Sequence, residues 1–206
     1  SGLEDDTPYY YAIEVTDLAG NTTFDDNGGT CYVFTTPQIP DYFTELFPSF
    51  DLAYSASLFA PNGSVDFYGV CRYDTLVLPT DPAGGTGLPM SDTSSATVQL
   101  TGGKSILFYG QSYTTLYVNA NGNITLDSSD SDSTETYEDH FSQPRVSLLF
   151  DDLDPSEGGA VSYKQLSDRI VVTWLNVPED NGSNANTFQV EFYFDGRIQL
   201  AWLQID

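Results

Sequence analysis

The sequence predicts an all-β protein, an antiparallel β-sandwich with an N-terminal β-ribbon, and three observations carry that expectation. The first is the closing stretch, residues 187–205 (TFQVEFYFDGRIQLAWLQI). A two-residue turn at Asp195-Gly196 would set Phe192 against Gln199, apolar against polar. A type I turn at Phe194-Asp195 with Gly196 in the left-handed bulge position instead pairs Phe192/Ile198, Val190/Leu200 and Phe188/Trp202 on one face. Tyr193/Arg197, Glu191/Gln199 and Gln189/Ala201 then share the other, as in a half-buried hairpin. The second observation is that the device recurs. In LYVNANGNITL (residues 116–126) it pairs Val118/Ile124 and Leu116/Leu126. In SLFAPNGSVDF (57–67) a Pro61-Asn62-Gly63 corner pairs Phe59/Val65. The third is a series of further short β-prone runs bounded by Gly, Pro, Asn and Asp.

Taken in order, residues 9–15 (YYYAIEV) and 30–36 (TCYVFTT) read as two strands separated by acidic, glycine-bearing loops. Two strands bury no core alone. Pro37 and Pro40 stiffen the joint that follows, so a boundary is expected near Asp41. Residues 41–52 suggest a helical turn, interrupted at Pro48. After the first hairpin, residues 76–90 are too rich in Pro and Gly for regular structure and read as a loop. Strands are expected at 97–100 and 105–109, then the second hairpin. Residues 127–139 (DSSDSDSTETYED) are polar without periodicity, the mark of a surface loop or a disordered one. The apolar run 146–150 (VSLLF) predicts a central strand covered on both faces. Residues 160–165 and 169–177 are strands joined through Leu166-Ser167-Asp168, and a loop at 178–186 leads into the closing hairpin.

Composition narrows the function classes. Thirty Asp+Glu against six Lys+Arg give a formal charge of -24, which repels nucleic acid and suits a solvated extracellular surface. No apolar run is long enough to cross a bilayer, so membrane insertion is not expected. Ser1-Gly2 opens without methionine or signal sequence, as in a piece of a larger protein. Cys31 and Cys71 either form one disulfide or remain thiols. Spacing does not decide, and the secretory character favours a bond.

The candidate metal ligands are Asp151, Asp152 and Asp154, in FDDLDPSEGG directly after the apolar run. Three crowded carboxylates repel one another unless a cation sits between them, and Ca²⁺ prefers oxygen ligands. Equally, aspartates here would cap turns by accepting from backbone N–H groups. Asp127, Asp130 and Asp132, and separately Asp25, Asp26 and Asn27, form looser series without the offsets of a calcium loop. For catalysis, a Ser-His-Asp mechanism would have to pass through His140, the single histidine, and no GxSxG turn accompanies any serine. With 30 acids some pair always falls at a glycosidase separation, so that signal discriminates nothing. No catalytic residue is assigned.

Two resemblances add to this reading. The phrase YYYAIEVTDLAGNTT resembles the penultimate strand of a fibronectin type III or immunoglobulin-like module, over residues 7–36. From residue 41 on, the order of pieces resembles a nidogen-like extracellular β-domain of large secreted bacterial proteins. LYVNANGNITL, PRVSLLFDDLDPSEGGAVSYKQLSDRIVVTWLNVP and NTFQVEFYFDGRIQLAWLQI carry that second likeness over most of residues 105–206. The acidic loop at 127–139 departs from it. The implied organisation is residues 1–36 as the last strands of an Ig/fibronectin-like module, 37–40 as linker and 41–206 as a nidogen-like β-sandwich. The implied role is a non-catalytic accessory or adhesion module, secreted or at the cell surface. Its partners would be an extracellular protein, a glycan or adjacent domains of the parent chain. The rival expectation is a Ca²⁺-dependent carbohydrate-binding or glycan-hydrolysing sandwich centred on Asp151, Asp152 and Asp154.

Overall fold

A computed structural model describes residues 8–35, 43–47, 49–63, 67–134 and 136–205, and the chain divides into two compact units, Ser1–Pro48 and Ser49–Asp206. The expected linker at 37–40 and the boundary at Asp41 lie outside the described residues. In the first unit the run read as one strand breaks at Ala12 into β1 (Pro8–Tyr11) and β2 (Ile13–Thr16). β3 (Thr22–Asp25) pairs with β2, and β4 (Tyr32–Thr35) pairs with β1. Tyr9 stacks on Phe34 at 5.8 Å and Tyr11 on Tyr32 at 5.4 Å, cross-strand aromatic contacts that hold a ribbon in which none of the described residues is buried.

The second unit is a β-sandwich. Its seven-stranded sheet runs in the order β6-β5-β17-β16-β15-β14-β7, built from β5 (Ser55–Pro61), β6 (Tyr68–Asp74), β7 (Thr86–Leu88), β14 (Ala160–Gln165), β15 (Arg169–Val177), β16 (Asn186–Tyr193) and β17 (Ile198–Trp202). Its four-stranded sheet runs β13-β12-β11-β8, from β8 (Ser95–Gln99), β11 (Thr115–Asn119), β12 (Asn123–Thr125) and β13 (Arg145–Ser147). β9 (Ile106–Phe108) and β10 (Gln111–Tyr113) form a separate hairpin, and α1 (Tyr137–His140) is a single helical turn. Inward rows follow from the pairing: Val118, Ile124 and Val146 align across one sheet, and Ile170, Phe192 and Ile198 across the other, all buried. The layers are tied where Trp202 Nε1 donates to the Leu148 carbonyl at 2.9 Å. Gly122, at φ +68, sits where a Cβ would come within 1.8 Å of the Leu149 carbonyl oxygen, so this corner admits glycine alone.

The closing hairpin has the expected register, Phe192↔Ile198, Val190↔Leu200 and Phe188↔Trp202, and Val118 faces Ile124 as expected. The first hairpin does not: Phe59 pairs with Val70, and Val65 lies outside the described residues. β5 runs through Pro61, opposite Tyr68 at a position that needs no N–H, and Asn62 N–H donates to the Phe67 carbonyl at 3.0 Å, so the ladder reaches into the expected corner and Phe59 meets a residue beyond Val65. The run 146–150 is also corrected. β13 stops at Ser147 and forms the edge of its sheet rather than a centre strand, because the chain peels off to bury Leu148 and Leu153. No helical turn forms among the described residues of 41–52. The wet face of the closing hairpin is not wet: Gln189 and Glu191 are fully buried. Thr80, in the stretch read as loop, lies over them. Its N–H donates to Gln189 Oε1 at 3.0 Å, its carbonyl accepts from Gln189 Nε2 at 2.8 Å, and its hydroxyl donates to Glu191 Oε1. Arg169 Nε lies 3.1 Å from Glu191 Oε2, which also accepts from the Tyr193 hydroxyl at 2.7 Å; burial and that carboxylate push Tyr193 up to about 12.

Candidate functional site

After β13 the chain turns back along the segment that follows β15. Leu153 and Glu179 form an isolated bridge, Asp154 N–H donates to the Pro178 carbonyl at 3.0 Å, and Asp180 N–H to the Asp152 carbonyl at 2.8 Å. Asn121, buried in the β11–β12 turn, accepts the Leu153 N–H through Oδ1 at 3.1 Å. This zipper, rather than spacing in sequence, gathers one carboxylate oxygen each from Asp154, Glu157 and Asp180 within 4.8 Å of one another. Asp154 is buried, Asp180 half-buried and Glu157 exposed.

Of the three expected ligands, only Asp154 stands in this group. Asp151 Oδ1 accepts from the next N–H, that of Asp152, at 2.9 Å, and so caps its own turn. Asp152 lies close enough to be affected: burial, and then the charges of Asp92, Asp180, Asp151 and Asp154, raise its carboxyl above the usual 3.8. Asp92 is raised by burial and by Asp180 and Asp154, and its Oδ1 is a buried oxygen with no hydrogen-bond partner. Sequence reading missed Glu157, Asp180 and Asp92. The turn Asp154-Pro155-Ser156-Glu157, closed by a Glu157 N–H to Asp154 carbonyl bond of 3.2 Å, was a local sign of the first. The other two arrive from distant segments.

The group has partial satisfaction already. Asp154 Oδ1 accepts from the Ser156 N–H and hydroxyl, both at 2.7 Å, and Glu157 Oε2 accepts from the Asn181 N–H at 3.1 Å. Even so, hard carboxylate oxygens, raised neighbours and the orphaned oxygen of Asp92 make a group that could hold a metal ion. Asp154, Glu157 and Asp180 would hold it.

The other series resolve differently. Asp130 pairs with buried Arg145, Asp132 N–H donates to Asp130 Oδ1 at 2.9 Å, and Asp132 Oδ1 accepts from Thr134 N–H at 2.9 Å. In the ribbon, Asp25 Oδ2 accepts from the Tyr32 hydroxyl at 2.7 Å and Asp26 Oδ1 from Gly29 N–H at 2.9 Å. These aspartates cap turns. Cys31, in the loop before β4 of the first unit, and Cys71, in the middle of β6 of the second, are both free thiols. His140 ends α1 with Nδ1 3.1 Å from Ser147 Oγ on β13. A hydroxyl–imidazole contact is one part of an acyl-transfer site and equally a tie between a helix end and a strand.

The family model described as NIDO related matches residues 73–204. No curated protein and no solved structure matches the chain.

Proposed function

The chain belongs to the NIDO-related family, an extracellular type of module, and from that premise we propose that it is a non-catalytic accessory module of a secreted multidomain bacterial protein. It adheres to an extracellular protein or glycan, or sets the spacing of domains beside it, with residues 1–36 as the last strands of an Ig/fibronectin-like neighbour and 37–40 as the joint. Among the described residues no helix is long and apolar enough to cross a membrane.

The observation that carries this reading is the employment of the polar side chains most suited to chemistry. Glu191 holds the Thr80 segment and Arg169, Asp130 holds Arg145, and His140 joins α1 to β13. The Thr80, Asp130 and His140 bonds fasten connecting segments to a sheet, and the Arg169 pair ties β15 to β16. The test is a hydrolysis screen of the full chain on ester, peptide and glycan panels, with a serine-directed fluorophosphonate as probe. No turnover and no label on Ser147 are expected; turnover abolished by Ser147→Ala or Asp152→Asn would make the protein an enzyme. A glycan array and immobilised matrix proteins identify the ligand class.

A second reading, Ca²⁺ dependence, is favoured by the Asp154, Glu157 and Asp180 group. There the cation would clamp residues 151–157 to 177–182 and neutralise repulsion, a stiffening role compatible with binding. Calorimetric titration of the full chain with calcium alone tests it, and absence of both heat and a melting shift would remove the site.

A further inference from the structure

The seven-stranded sheet has two unlike edges. β7 is three residues long and is bracketed in sequence by Pro82 and Pro89, the ordinary protection of an edge. β6 is seven residues long, pairs with β5 in unbroken register, holds no proline, and is exposed from Gly69 to Asp74. Among the described residues no strand lies beyond it.

The direction of its open groups follows from the ladder. Thr75 N–H donates to the Tyr54 carbonyl at 2.9 Å and Asn62 N–H to the Phe67 carbonyl at 3.0 Å, which fixes the alternation of bonded and non-bonded pairs between them. Leu58↔Cys71, Ala56↔Tyr73 and Ala60↔Gly69 are bonded pairs, so the N–H and C=O groups of Tyr68, Val70, Arg72 and Asp74 point away from β5. Those four positions are symmetric about Cys71. A second copy laid antiparallel across a twofold axis at Cys71 therefore sets Val70 opposite Arg72 and Tyr68 opposite Asp74, and every open group meets a partner. Cys71 then faces its own counterpart at a non-bonded position, where Cα atoms stand about 4.5 Å apart. That spacing is within the roughly 4.4–6.8 Å that a disulfide spans. Tyr73, whose hydroxyl accepts from Gln199 Nε2 on the inner side of β6, falls opposite Gly69, so no bulky pair crowds this position. The strand holds one arginine and one aspartate, so this surface is neutral on a chain of charge -24.

We propose that β6 is a self-pairing edge: two copies of this chain join through it into one continuous sheet, and a Cys71–Cys71 disulfide locks the pair. The oxidant is a low-molecular-weight disulfide, RSSR, of the kind an oxidising extracellular space contains. One Cys71 thiolate attacks RSSR and expels RS⁻. The second Cys71 thiolate attacks the mixed disulfide and expels the other RS⁻. The two thiol protons pass to the two RS⁻ groups, so one protein disulfide forms as RSSR becomes two RSH.

The test uses the full chain with Cys31→Ser, in oxidised and reduced glutathione, read by non-reducing electrophoresis and intact mass. A disulfide-linked dimer is expected, and its yield rises with salt as repulsion between the acidic chains is screened. Moving the thiol by one residue, Val70→Cys with Cys71→Ser, gives an equally exposed cysteine that the register places opposite Arg72, and its dimer yield falls roughly tenfold. Arg72→Pro removes an outward donor without touching a β5–β6 bond, and also abolishes the dimer while the melting temperature holds. No dimer from Cys71, or equal dimer from the shifted thiol or the proline variant, overturns the proposal.

Discussion

Two acid-rich regions of the sandwich are in opposite electrostatic condition. Residues 127–134 are pinned by a buried cation, Arg145, and by buried amides: Asn119 Oδ1 accepts from Asp130 N–H at 3.2 Å, and Asn121 Nδ2 donates to the Asp132 carbonyl at 2.9 Å. Hydrogen bonds from Thr134 hold the Asp132 carboxyl below the usual 3.8. At the corner of Asp92, Asp152, Asp154, Glu157 and Asp180 the two shifted carboxyls, Asp92 and Asp152, are raised by burial and by one another's neighbours. The density of acids is similar, and what separates the regions is the supply of donors and countercharge. A sequence full of aspartate marks both; uncompensated charge marks one.

The largest expected effect is on the compensated side. Arg145→Met leaves Asp130 without its cation and removes the guanidinium stacked 4.7 Å from the Phe150 ring centroid. Breaking a buried pair costs about 3–5 kcal/mol. Denaturant unfolding should show that loss, and limited proteolysis should cut first within 127–134; an unchanged midpoint would mean the loop is held without Arg145. Asn121 serves both regions, through Nδ2 to one and Oδ1 to the other. Asn121→Ala leaves the buried Leu153 N–H unsatisfied and should cost about 1–3 kcal/mol, with hydrogen exchange quickening in both loops rather than one.

How much of this contrast could be read from the chain follows from the range of each signal. The closing hairpin was legible because alternation and a glycine corner both act within a few residues, and together they leave one register. The same logic misplaced Phe59, because Pro61 and Asn62, expected in the turn, still pair with Tyr68 and Phe67 in the ladder. Asn119, Asn121 and Asn123 alternate along a turn and look solvated, yet all are buried, because the acidic loop folds back over them. Nothing local announces Thr80 as the cover of Gln189 and Glu191, or Asp180 as the neighbour of Asp154. Those contacts span 109 and 111 residues in the first case, and only the assembled sheet brings them together.

On the uncompensated side, calcium at a hundredfold excess over its dissociation constant should stabilise the fold by about 2.7 kcal/mol. Asp154→Asn should remove that gain. Asp92→Asn should have the opposite sign in the two states: in chelator it removes one of the mutually repelling carboxylates and raises the melting temperature by roughly a few degrees, while the increment from calcium shrinks. A variant that melts lower in chelator would show that Asp92 is satisfied by donors and not strained by its neighbours.

The smallest effect is the most direct reading of the difference. In a carbon-detected titration of the side-chain carboxyls, Asp132 should titrate below 3.8 and Asp152 above it. The linkage signs are opposite. The lowered Asp132 contributes stability that is complete above 3.8 and is lost as pH falls toward its folded value. The raised Asp152 contributes nothing unfavourable below 3.8, and its ionisation opposes folding increasingly as pH rises from there to its folded value. Added calcium should lower the Asp152 midpoint, since a cation favours the ionised form, and leave Asp132 where its Thr134 donors hold it. If both midpoints moved together, the ion would be acting as general screening on a chain of charge -24 rather than at a site.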